Sequence, residues 1–345
     1  MTQSASLAEA VALAEANESS FPRDLRAYLE AGHFDPPPHN AVIGPIFPRG
    51  APNGLILRHG QRLAGWGDTW QADMTFSAAK SYLSLIAGIA QMDGLLPDLD
   101  EPVRARVDDG GFESDQNSDI TWRHLLTNTS EWEGELWGKA DSIDRGRDLA
   151  REGAPRRMDR ALERPGTYWE YNDVRVNRLS LSLLHLFRRP LPEIFAERIL
   201  DPIGGSRDWV WYPYDNAWID LAGRRLPSVP GGSHWGGGLR IHAEDQARIG
   251  QLVLQQGSWD GEQIIPAEWI AQSLEPCALN PSYGFLWWLN GAGRWPGAPA
   301  DSVFAMGAGG NVTWIWPGED VVAVLRWVHP DAVGPFCAKV MAALG

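Results

Sequence analysis

Lysine is scarce in this chain of 345 residues. Of its 30 lysine and arginine residues, only Lys80, Lys139 and Lys339 are lysine. Arginine keeps its proton in proteins, whereas a lysine can lose its proton when burial lowers its pKa. A chain that supplies nearly all its positive charge as arginine and yet keeps a lysine at position 80 indicates a need for a removable proton there.

Cysteine is also rare, and histidine forms no pattern. Cys277 and Cys337 lie far apart without the spacing of a metal site, which favours two buried free thiols and leaves a disulfide as the alternative. The eight histidines include no His-x-x-x-His pair, so metal catalysis has little support. We expect neither a metal nor another cofactor.

Excess positive charge and long apolar runs are missing as well. The net charge of −14 argues against nucleic acid and against an anionic membrane surface as partners. No run approaches the roughly 18 apolar residues of a membrane span, and Glu9 and Glu15 interrupt the alanine-rich start. We expect a cytoplasmic protein that acts on a small molecule.

Ser77 and Lys80 are the most informative residues that are present. Residues 75–83 predict the start of a buried helix, on which positions i and i+3 share a face. The Lys80 ammonium would then lie beside the Ser77 hydroxyl at a helix N-terminus, which favours negative charge. The pair predicts a serine nucleophile whose proton is taken by a desolvated lysine. A capping serine followed by a surface lysine is the alternative.

The order of predicted elements indicates an α/β protein. Residues 54–67 predict a β-hairpin that turns at residues 59–60, and two late strands are expected around 304–316 and 321–328. Helices are predicted near 120–127, 143–152, 174–187, 191–200, 243–256 and 266–273. This order predicts an α/β domain of residues 1–100 and 226–345, interrupted by a helical domain of residues 101–225.

Three further stretches carry a resemblance to a known family. Residues 94–103 (GLLPDLDEPV), 120–130 (ITWRHLLTNTS) and 237–248 follow the Ser77–Lys80 motif in order. Together they resemble the serine β-lactamase and penicillin-recognising superfamily, in particular its class C-like esterase and 6-aminohexanoate-dimer hydrolase branch. The resemblance spans roughly residues 52–330. It implies a β-lactamase/transpeptidase-like fold, with an antiparallel sheet flanked by helices and an inserted all-helical lobe.

The second motif of that superfamily, Tyr-x-Asn, corresponds here to Tyr171-Asn172-Asp173. The resemblance implies that the Tyr171 phenol relays protons beside Ser77 and Lys80. Asp173 departs from the usual Asn, and a carboxylate close to Lys80 would hold that lysine protonated and shift the role of base to Tyr171. Alternatively, Asp173 caps a helix that starts near Val174.

The third motif, Lys-Thr-Gly, falls on Ala305-Met306-Gly307, so the cationic position is lost. The resemblance therefore puts β-lactam hydrolysis and cell-wall peptide recognition in doubt. It implies that Gly307 permits close approach and that the N–H groups of Ser77 and Ala308 form an oxyanion hole. A bulged strand is the alternative interpretation of these glycines.

Several aromatic residues and one histidine are candidate substrate contacts. Trp132, Trp137 and Trp235 fall in predicted loops, as do Trp287 and Trp288, and aromatic walls suit an acyl chain. His234 lies among glycines near the expected cleft. The proposed substrate-binding residues are Asp173, His234, Trp132, Trp137 and Trp235.

The residues and the resemblance together predict a serine hydrolase that cleaves an ester or amide through an acyl-enzyme on Ser77. A carboxylesterase or small linear amidase is favoured by Ala305. The alternatives are a β-lactamase or D-amino-acid peptidase, and a non-catalytic scaffold of the same fold.

Overall fold

The computed structural model describes residues 3–149 and 155–345. Its α-helices are α1 (Gln3–Ala16), α2 (Leu25–Glu30), α3 (Ala78–Met92), α4 (Trp122–Leu126), α5 (Asp173–Phe187), α6 (Leu191–Phe195), α7 (Ala243–Leu254), α8 (Ala267–Ser273) and α9 (Val333–Leu344). Its strands are β1 (Asn53–Arg58), β2 (Gln61–Trp66), β3 (Asp73–Met74), β4 (Glu135–Leu136), β5 (Lys139–Ala140), β6 (Val210–Tyr212), β7 (Trp218–Leu221), β8 (Arg224–Pro227), β9 (Gly238–Ile241), β10 (Ser258–Trp259), β11 (Glu262–Gln263), β12 (Trp288–Leu289), β13 (Val303–Gly307), β14 (Asn311–Trp316) and β15 (Val321–Arg326).

The main sheet has six strands in the order β12-β13-β14-β15-β1-β2, and every neighbouring pair is antiparallel. Strands β1 and β2 are the predicted hairpin, which turns at His59 and Gly60. Pairing of β1 with β15, with Leu55 opposite Val324, joins this early hairpin to the late strands. A mixed α/β fold with antiparallel sheets is thus confirmed.

The two faces of the sheet are covered by different helices, because side chains alternate along a strand. Leu55 and Val324 form one cluster with Ala243 and Ala247 of α7. The neighbouring Ile56 belongs instead to the cluster that contains residues of α1 and α9. Helices on both faces bury the sheet, and strand β13 packs against α3.

Helix α3 is buried around its whole circumference from Ala78 to Ala90, as its apolar composition predicts. It packs against α5, α6, α8 and strand β13. A helix fixed on all sides gives its N-terminal residues a defined position, which a reacting hydroxyl needs.

The segment 101–225 contains short strands as well as helices, which the prediction of an all-helical lobe did not include. Helices α4, α5 and α6 lie within the predicted ranges, but β4 to β8 form small hairpins and an edge strand. The predicted helix near 143–152 is wrong in its first half, where a 3₁₀-helix covers Asp141–Asp144 and no helix follows to residue 149. Residues 150–152 of that prediction lie outside the described residues. The division of the chain into two domains stays a prediction.

The late strand expected around 304–316 is two strands, β13 and β14, joined by a turn at residues 308–310. Gly309 and Gly310 both have φ of +73°, and a β carbon on Gly310 would lie 1.5 Å from the Val328 carbonyl oxygen. The glycines therefore make a tight hairpin rather than a bulge in one long strand.

Both cysteines are free thiols, Cys337 buried and Cys277 partly exposed. Burial raises the pKa of the Cys337 thiol. Within the described residues, no helix has the length and hydropathy that crossing a bilayer requires.

Arg326, at the end of β15, ties the main sheet to a smaller one. It is fully buried, and its guanidinium donates to the carbonyl oxygens of Ile241 at 2.7 Å and Met74 at 2.9 Å. Its Nε donates to Asn311 Oδ1 at 2.8 Å. Ile241 and Met74 lie on β9 and β3, so this one side chain fixes the strand that precedes Ser77.

Replacing Arg326 with alanine should lower the free energy of unfolding by about 3 kcal/mol or more, because buried acceptors lose a charged donor. Urea denaturation measures the loss. Arg104→Ala, at an exposed position, is the control and should change stability by less than about 0.5 kcal/mol. Equal stability of the two variants would contradict the role given to Arg326.

Candidate active site

Ser77 lies at the N-terminal end of α3, directly after a strained backbone position. Phe76 has φ of +48°, a conformation that costs a β-carbon residue about 1–2 kcal/mol. Its side chain is buried in a cluster with Phe21, Met74 and Trp327, which holds it there. Ser77 is the N-cap residue, yet its hydroxyl makes no capping hydrogen bond. The turn thus leaves the Ser77 hydroxyl free for another partner.

Lys80 is that partner. Its Nζ donates to Ser77 Oγ at 2.8 Å and lies 4.7 Å from the centre of the Tyr171 ring. The same Nζ lies 2.5 Å from Asp173 Oδ1. The structure therefore places the three predicted catalytic side chains together: Ser77 and Tyr171 both contact the Lys80 ammonium. Asp173 contacts the same ammonium.

Asp173 is the first residue of α5, and the N-cap is Asn172, whose Oδ1 accepts from the Arg175 N–H at 3.2 Å. The carboxylate of Asp173 is thus free to face Lys80. Only 1% of the Lys80 side chain and 3% of the Asp173 side chain are exposed. Of the two roles considered for Asp173, the structure shows the contact with Lys80.

The pKa of Lys80 is raised, whereas burial alone would lower it and favour the neutral amine. Burial lowers the pKa of Lys80. The charges of Asp173 and Tyr171 raise it by more than burial lowers it, so the pKa is above its ordinary value. Burial raises the pKa of Asp173, and the charges of Lys80, His234 and Arg147 reverse this and hold that pKa well below its usual range. At neutral pH the pair is an ammonium and a carboxylate, so the predicted removal of the serine proton by a neutral lysine is not supported.

His234 connects Asp173 to a second buried carboxylate. Its Nε2 lies 3.1 Å from Asp173 Oδ2, and its Nδ1 lies 3.3 Å from Asp35 Oδ2. The ring is only 4% exposed. Neither contact has the alignment of a full hydrogen bond, since both nitrogens are without a hydrogen-bond partner. His234 is therefore part of the charged cluster behind Lys80.

Asp35, Asp144 and His234 have ligand atoms within 4.8 Å of one another, a spacing that would suit a metal ion. Arg156 already lies among them, with its NH1 2.5 Å from Asp35 Oδ1 and 3.1 Å from Asp144 Oδ1. A guanidinium in this position neutralises the carboxylates that a cation would need. The donor set fits an ion network better than a metal site.

A glycine-rich loop closes over the buried pair. A β carbon on Gly232 would lie 2.6 Å from Asp173 Oδ2 and 3.2 Å from Lys80 Nζ. One on Gly231 would lie 2.5 Å from a methyl group of Val176. The glycines before His234 are thus explained by close approach to the ion pair.

A second ion network positions the Tyr171 segment. Arg175 is 1% exposed and pairs with Glu131 at 2.6 Å, with Glu170 at 3.1 Å and with Asp141 at 3.1 Å. Because Glu170 and Arg175 flank Tyr171 in sequence, this network fixes the backbone on both sides of it. The Tyr171 ring stacks on Trp288, with centroids 5.6 Å apart and an interplanar angle of 26°.

The glycine strand approaches the nucleophile from the other side. A β carbon on Gly307 would lie 1.8 Å from the Thr75 carbonyl oxygen, so only glycine allows this approach. The next residue, Ala308, is held by Asn311, whose Nδ2 donates to the Ala308 carbonyl at 2.8 Å. Asn311 is itself held by Arg326. The turn beside Ser77 is therefore rigid.

A cleft of about 420 Å³ opens onto these groups. Its lining includes Ser77, Tyr171, Gly307, Ala308 and Met306. Trp288 and Trp295 form an aromatic wall of the same cleft. Ser77 is therefore reachable from a pocket large enough for a small ester or amide.

The other predicted tryptophan contacts lie elsewhere. Trp132 and Trp137 line a second cavity, of about 950 Å³, whose lining does not include Ser77. Trp235 is fully buried, and its Nε1 donates to the His39 carbonyl at 3.1 Å. Trp287 is fully buried as well. The expectation that Trp132, Trp137 and Trp235 contact substrate is not supported by these positions.

Three charged residues of the site gave no signal in the sequence. Asp35 precedes a run of prolines, and Arg147 lies in a predicted helix. Arg294 is in the loop after β12 and lines the cleft. None belongs to a short motif, and only the fold brings them to the site. Trp288 also lines the cleft, although the sequence analysis did not include it among the proposed substrate-binding residues.

Comparison with known proteins agrees with this geometry. The β-lactamase family model matches residues 55–332, which is most of the chain. No curated protein matches. Among solved structures, the fold is similar to EstCE1, a hydrolase with promiscuous acyltransferase activity, with 16% identity, a TM-score of 0.62 and 99% of both chains covered.

Two other solved structures share the fold. One is a Bacillus anthracis protein provisionally assigned as a 6-aminohexanoate-dimer hydrolase, with 16% identity, a TM-score of 0.62, and 95% of this chain and 84% of that one covered. The other is an octameric penicillin-binding protein homologue from Pyrococcus abyssi, with 19% identity, a TM-score of 0.59, and 85% and 72% covered. At these identities the likeness shows the fold alone. By the match to its family model, the chain belongs to the β-lactamase family, and it is a serine hydrolase.

Proposed function

We propose that the protein is a carboxylesterase or small linear amidase that forms an acyl-enzyme on Ser77. The observation that carries the proposal is the contact of one ammonium group, Lys80 Nζ, with the Ser77 hydroxyl and the Tyr171 ring, both of which line the cleft. A hydroxyl that can attack, a phenol that can carry its proton and a fixed cation beside both can together carry out acyl transfer.

The proposed base is Tyr171 rather than Lys80. Asp173 keeps Lys80 protonated, so Lys80 has no free electron pair with which to accept the Ser77 proton. The Lys80 ammonium lies 4.7 Å from the centre of the Tyr171 ring, where its positive charge would stabilise negative charge on the side chain that carries the proton. Tyr171 then accepts the Ser77 proton as Oγ attacks the substrate carbonyl.

The negative charge of the tetrahedral intermediate lies on the former carbonyl oxygen. In this proposal the N–H groups of Ser77 and Ala308 donate to it, a contribution of about 3–4 kcal/mol to the barrier for one donor. When the intermediate collapses, the bond to the alcohol or amine breaks, and Tyr171 returns the proton to that leaving group. Water then attacks the acyl carbon and gives a proton to Tyr171. The bond between the acyl carbon and Ser77 Oγ breaks, the acid is released, and Tyr171 returns the proton to Oγ.

An ester or linear amide is favoured over a β-lactam by the side chains of β13. Ala305 is fully buried, and Met306 lines the cleft, so neither presents a charge to a substrate. A panel of 4-nitrophenyl acyl esters, short linear amides and a chromogenic cephalosporin tests this preference. Enzyme-like turnover of the cephalosporin with no turnover of esters would overturn the proposal.

Ser77→Ala should lower ester hydrolysis at least about 10³-fold and abolish labelling by a fluorophosphonate probe, because the attacking oxygen is removed. Ser81→Ala is the control, since its hydroxyl lies on the same helix but donates to the Leu286 carbonyl at 2.7 Å. Labelling and turnover that survive in Ser77→Ala would show that another residue is the nucleophile.

Tyr171→Phe should lower kcat by about 10²–10⁴-fold, the usual contribution of a general acid–base, with little change in KM. The ring keeps its stacking on Trp288, so the variant should fold. Tyr212→Phe, on β6 and outside the cleft lining, is the matched control. Wild-type kcat in Tyr171→Phe would exclude the phenol as the proton relay.

Asp173→Asn should introduce a new ionisation into the pH profile of kcat/KM. In the wild type the pKa of Lys80 is raised, so Lys80 stays charged across the neutral range; without the carboxylate, burial dominates and that pKa falls. Lys80 should then lose its proton as the pH rises, well below its ordinary value of 10.5. The profile is measured between about pH 5 and pH 10. Asp331→Asn, at an exposed cleft residue, is the control, and identical profiles of the two variants would contradict this account.

A further inference from the structure

The segment that connects α1 to β1, residues 17–52, supplies part of the cleft wall. Phe21 and Phe34 of this connecting segment line the cleft together with Ser77. Both residues precede residue 55, where the match to the family model begins. The wall that they form therefore lies outside the part of the chain that the family model covers.

The connecting segment is anchored at Phe34 and beyond it. Asp35 is 1% exposed, and its Oδ1 lies 2.5 Å from Arg156 NH1. Arg156 also donates to the carbonyl oxygen of Phe34 through its NH2. The carbonyl oxygen of His39 accepts from Lys139 Nζ at 2.9 Å. These contacts fix the backbone of Phe34 relative to the rest of the cleft.

The Phe34 ring lies next to the turn that carries Ser77. Its centroid is 6.0 Å from that of Phe76, the residue before Ser77, and 5.7 Å from that of Phe21. A β carbon on Gly309 would lie 3.1 Å from the Phe21 ring, so this wall also adjoins the turn that follows β13. Because Phe34 is only half-buried, its ring presents an apolar surface to the cleft.

The aromatic wall of Trp288 and Trp295 lies toward the other end of β13. Trp288 pairs with Phe304 across β12 and β13, and the Trp295 ring packs on Phe304 with centroids 4.7 Å apart. Phe304 precedes Gly307 by three residues, which is about 10 Å along a strand. The cleft therefore has two separate aromatic walls, one at each end of β13.

The proposed mechanism gives a different part of the substrate to each wall. Tyr171 returns the proton to the leaving group, so the leaving group lies near Tyr171, which stacks on Trp288. The oxyanion faces the N–H groups of Ser77 and Ala308. The acyl chain takes the remaining direction, toward Phe34.

We propose that Phe34 forms the end of the acyl site and sets the length of the acyl chain that the enzyme accepts. This inference rests on the proposed function and specifies its substrate class as esters or amides of short, apolar acyl chains. The whole cleft has a volume of about 420 Å³, toward the lower end of the range for ligand pockets, and it must hold both parts of the substrate. A longer acyl chain has to displace the Phe34 ring from its contacts with Phe76 and Phe21.

The first experiment measures kcat/KM for 4-nitrophenyl acetate, butyrate, hexanoate and octanoate, which differ only in acyl length. In the wild type, kcat/KM should be at least about tenfold lower for octanoate than for butyrate, since one methylene group can change it by that factor in a hydrophobic pocket. Phe34→Ala should raise the ratio of octanoate to butyrate about tenfold or more, because it opens the end of the site. Phe34→Trp should lower the ratio of butyrate to acetate, because a larger ring shortens the site.

These ratios compare substrates on one variant, so a general loss of folded protein cancels from them. Phe47→Ala is the matched control, because Phe47 is a half-buried phenylalanine of the same segment that packs on Tyr212 and is outside the cleft lining. It should keep the wild-type ratios, and Trp295→Ala should keep them as well. Ratios in Phe34→Ala that equal those of the wild type, or an equal shift in Trp295→Ala, overturn the inference while the proposed hydrolase stands.

A second measurement does not depend on turnover. In an alkylboronic acid, boron takes the place of the carbonyl carbon, so the addition of Ser77 Oγ to boron places the alkyl chain in the acyl site. Binding of butylboronic and octylboronic acid is followed by the fluorescence of the cleft tryptophans. The affinity for the octyl compound relative to the butyl compound should rise about tenfold in Phe34→Ala.

The two measurements separate this inference from the proposed function. A wild type that binds the boronic acids with the expected ratios but hydrolyses no ester or amide leaves the acyl site standing and contradicts the proposed hydrolase. An affinity ratio that is unchanged in Phe34→Ala, or no binding of either boronic acid, overturns the inference.

Discussion

The ion pair between Lys80 and Asp173 is the interaction on which the rest of the site depends. Removing two charges from water costs several kcal/mol for each ion, and the contact repays this cost only with good geometry and further partners. Here the Nζ–Oδ1 distance is 2.5 Å, and His234 and Arg147 add to the field on Asp173. In the proposed mechanism the pair holds a positive charge beside Ser77, and proton transfer falls to another group, Tyr171.

Much of the surrounding structure serves to bring four separate segments together at this pair and the turn that carries Ser77. The turn before α3 supplies Ser77, and the N-terminus of α5 supplies Asp173. Gly232 lets a loop pass directly over the two charges, and Gly307 lets β13 reach the turn before the nucleophile. Each approach is too close for a β carbon. The glycines of this chain therefore report contacts between distant segments rather than flexibility.

The sequence predicted the parts that depend on local spacing and on family motifs. The hairpin at residues 59–60, the buried helix after Ser77 and the alternatives for Asp173 could all be formulated from neighbouring residues. The charge state of Lys80 could not be predicted in this way. It depends on whether burial or the carboxylate of Asp173, from another helix, has the larger effect on the pKa of Lys80. Trp132 was predicted to contact substrate but lines the other cavity, because the sequence does not show which cavity a tryptophan in a predicted loop will face.

The protonation state of Lys80 is the most direct test of this account. The chain has only three lysines, Lys80, Lys139 and Lys339, so selective ¹⁵N labelling of lysine yields three side-chain signals. The spectrum of Lys80→Met assigns the signal of interest. The account predicts that the Lys80 Nζ signal remains that of an ammonium from pH 6 to beyond pH 10, because Asp173 raises its pKa above the ordinary value of 10.5. A titration of this signal with a midpoint below about pH 8, the range of a lysine tuned to act as a base, would contradict it.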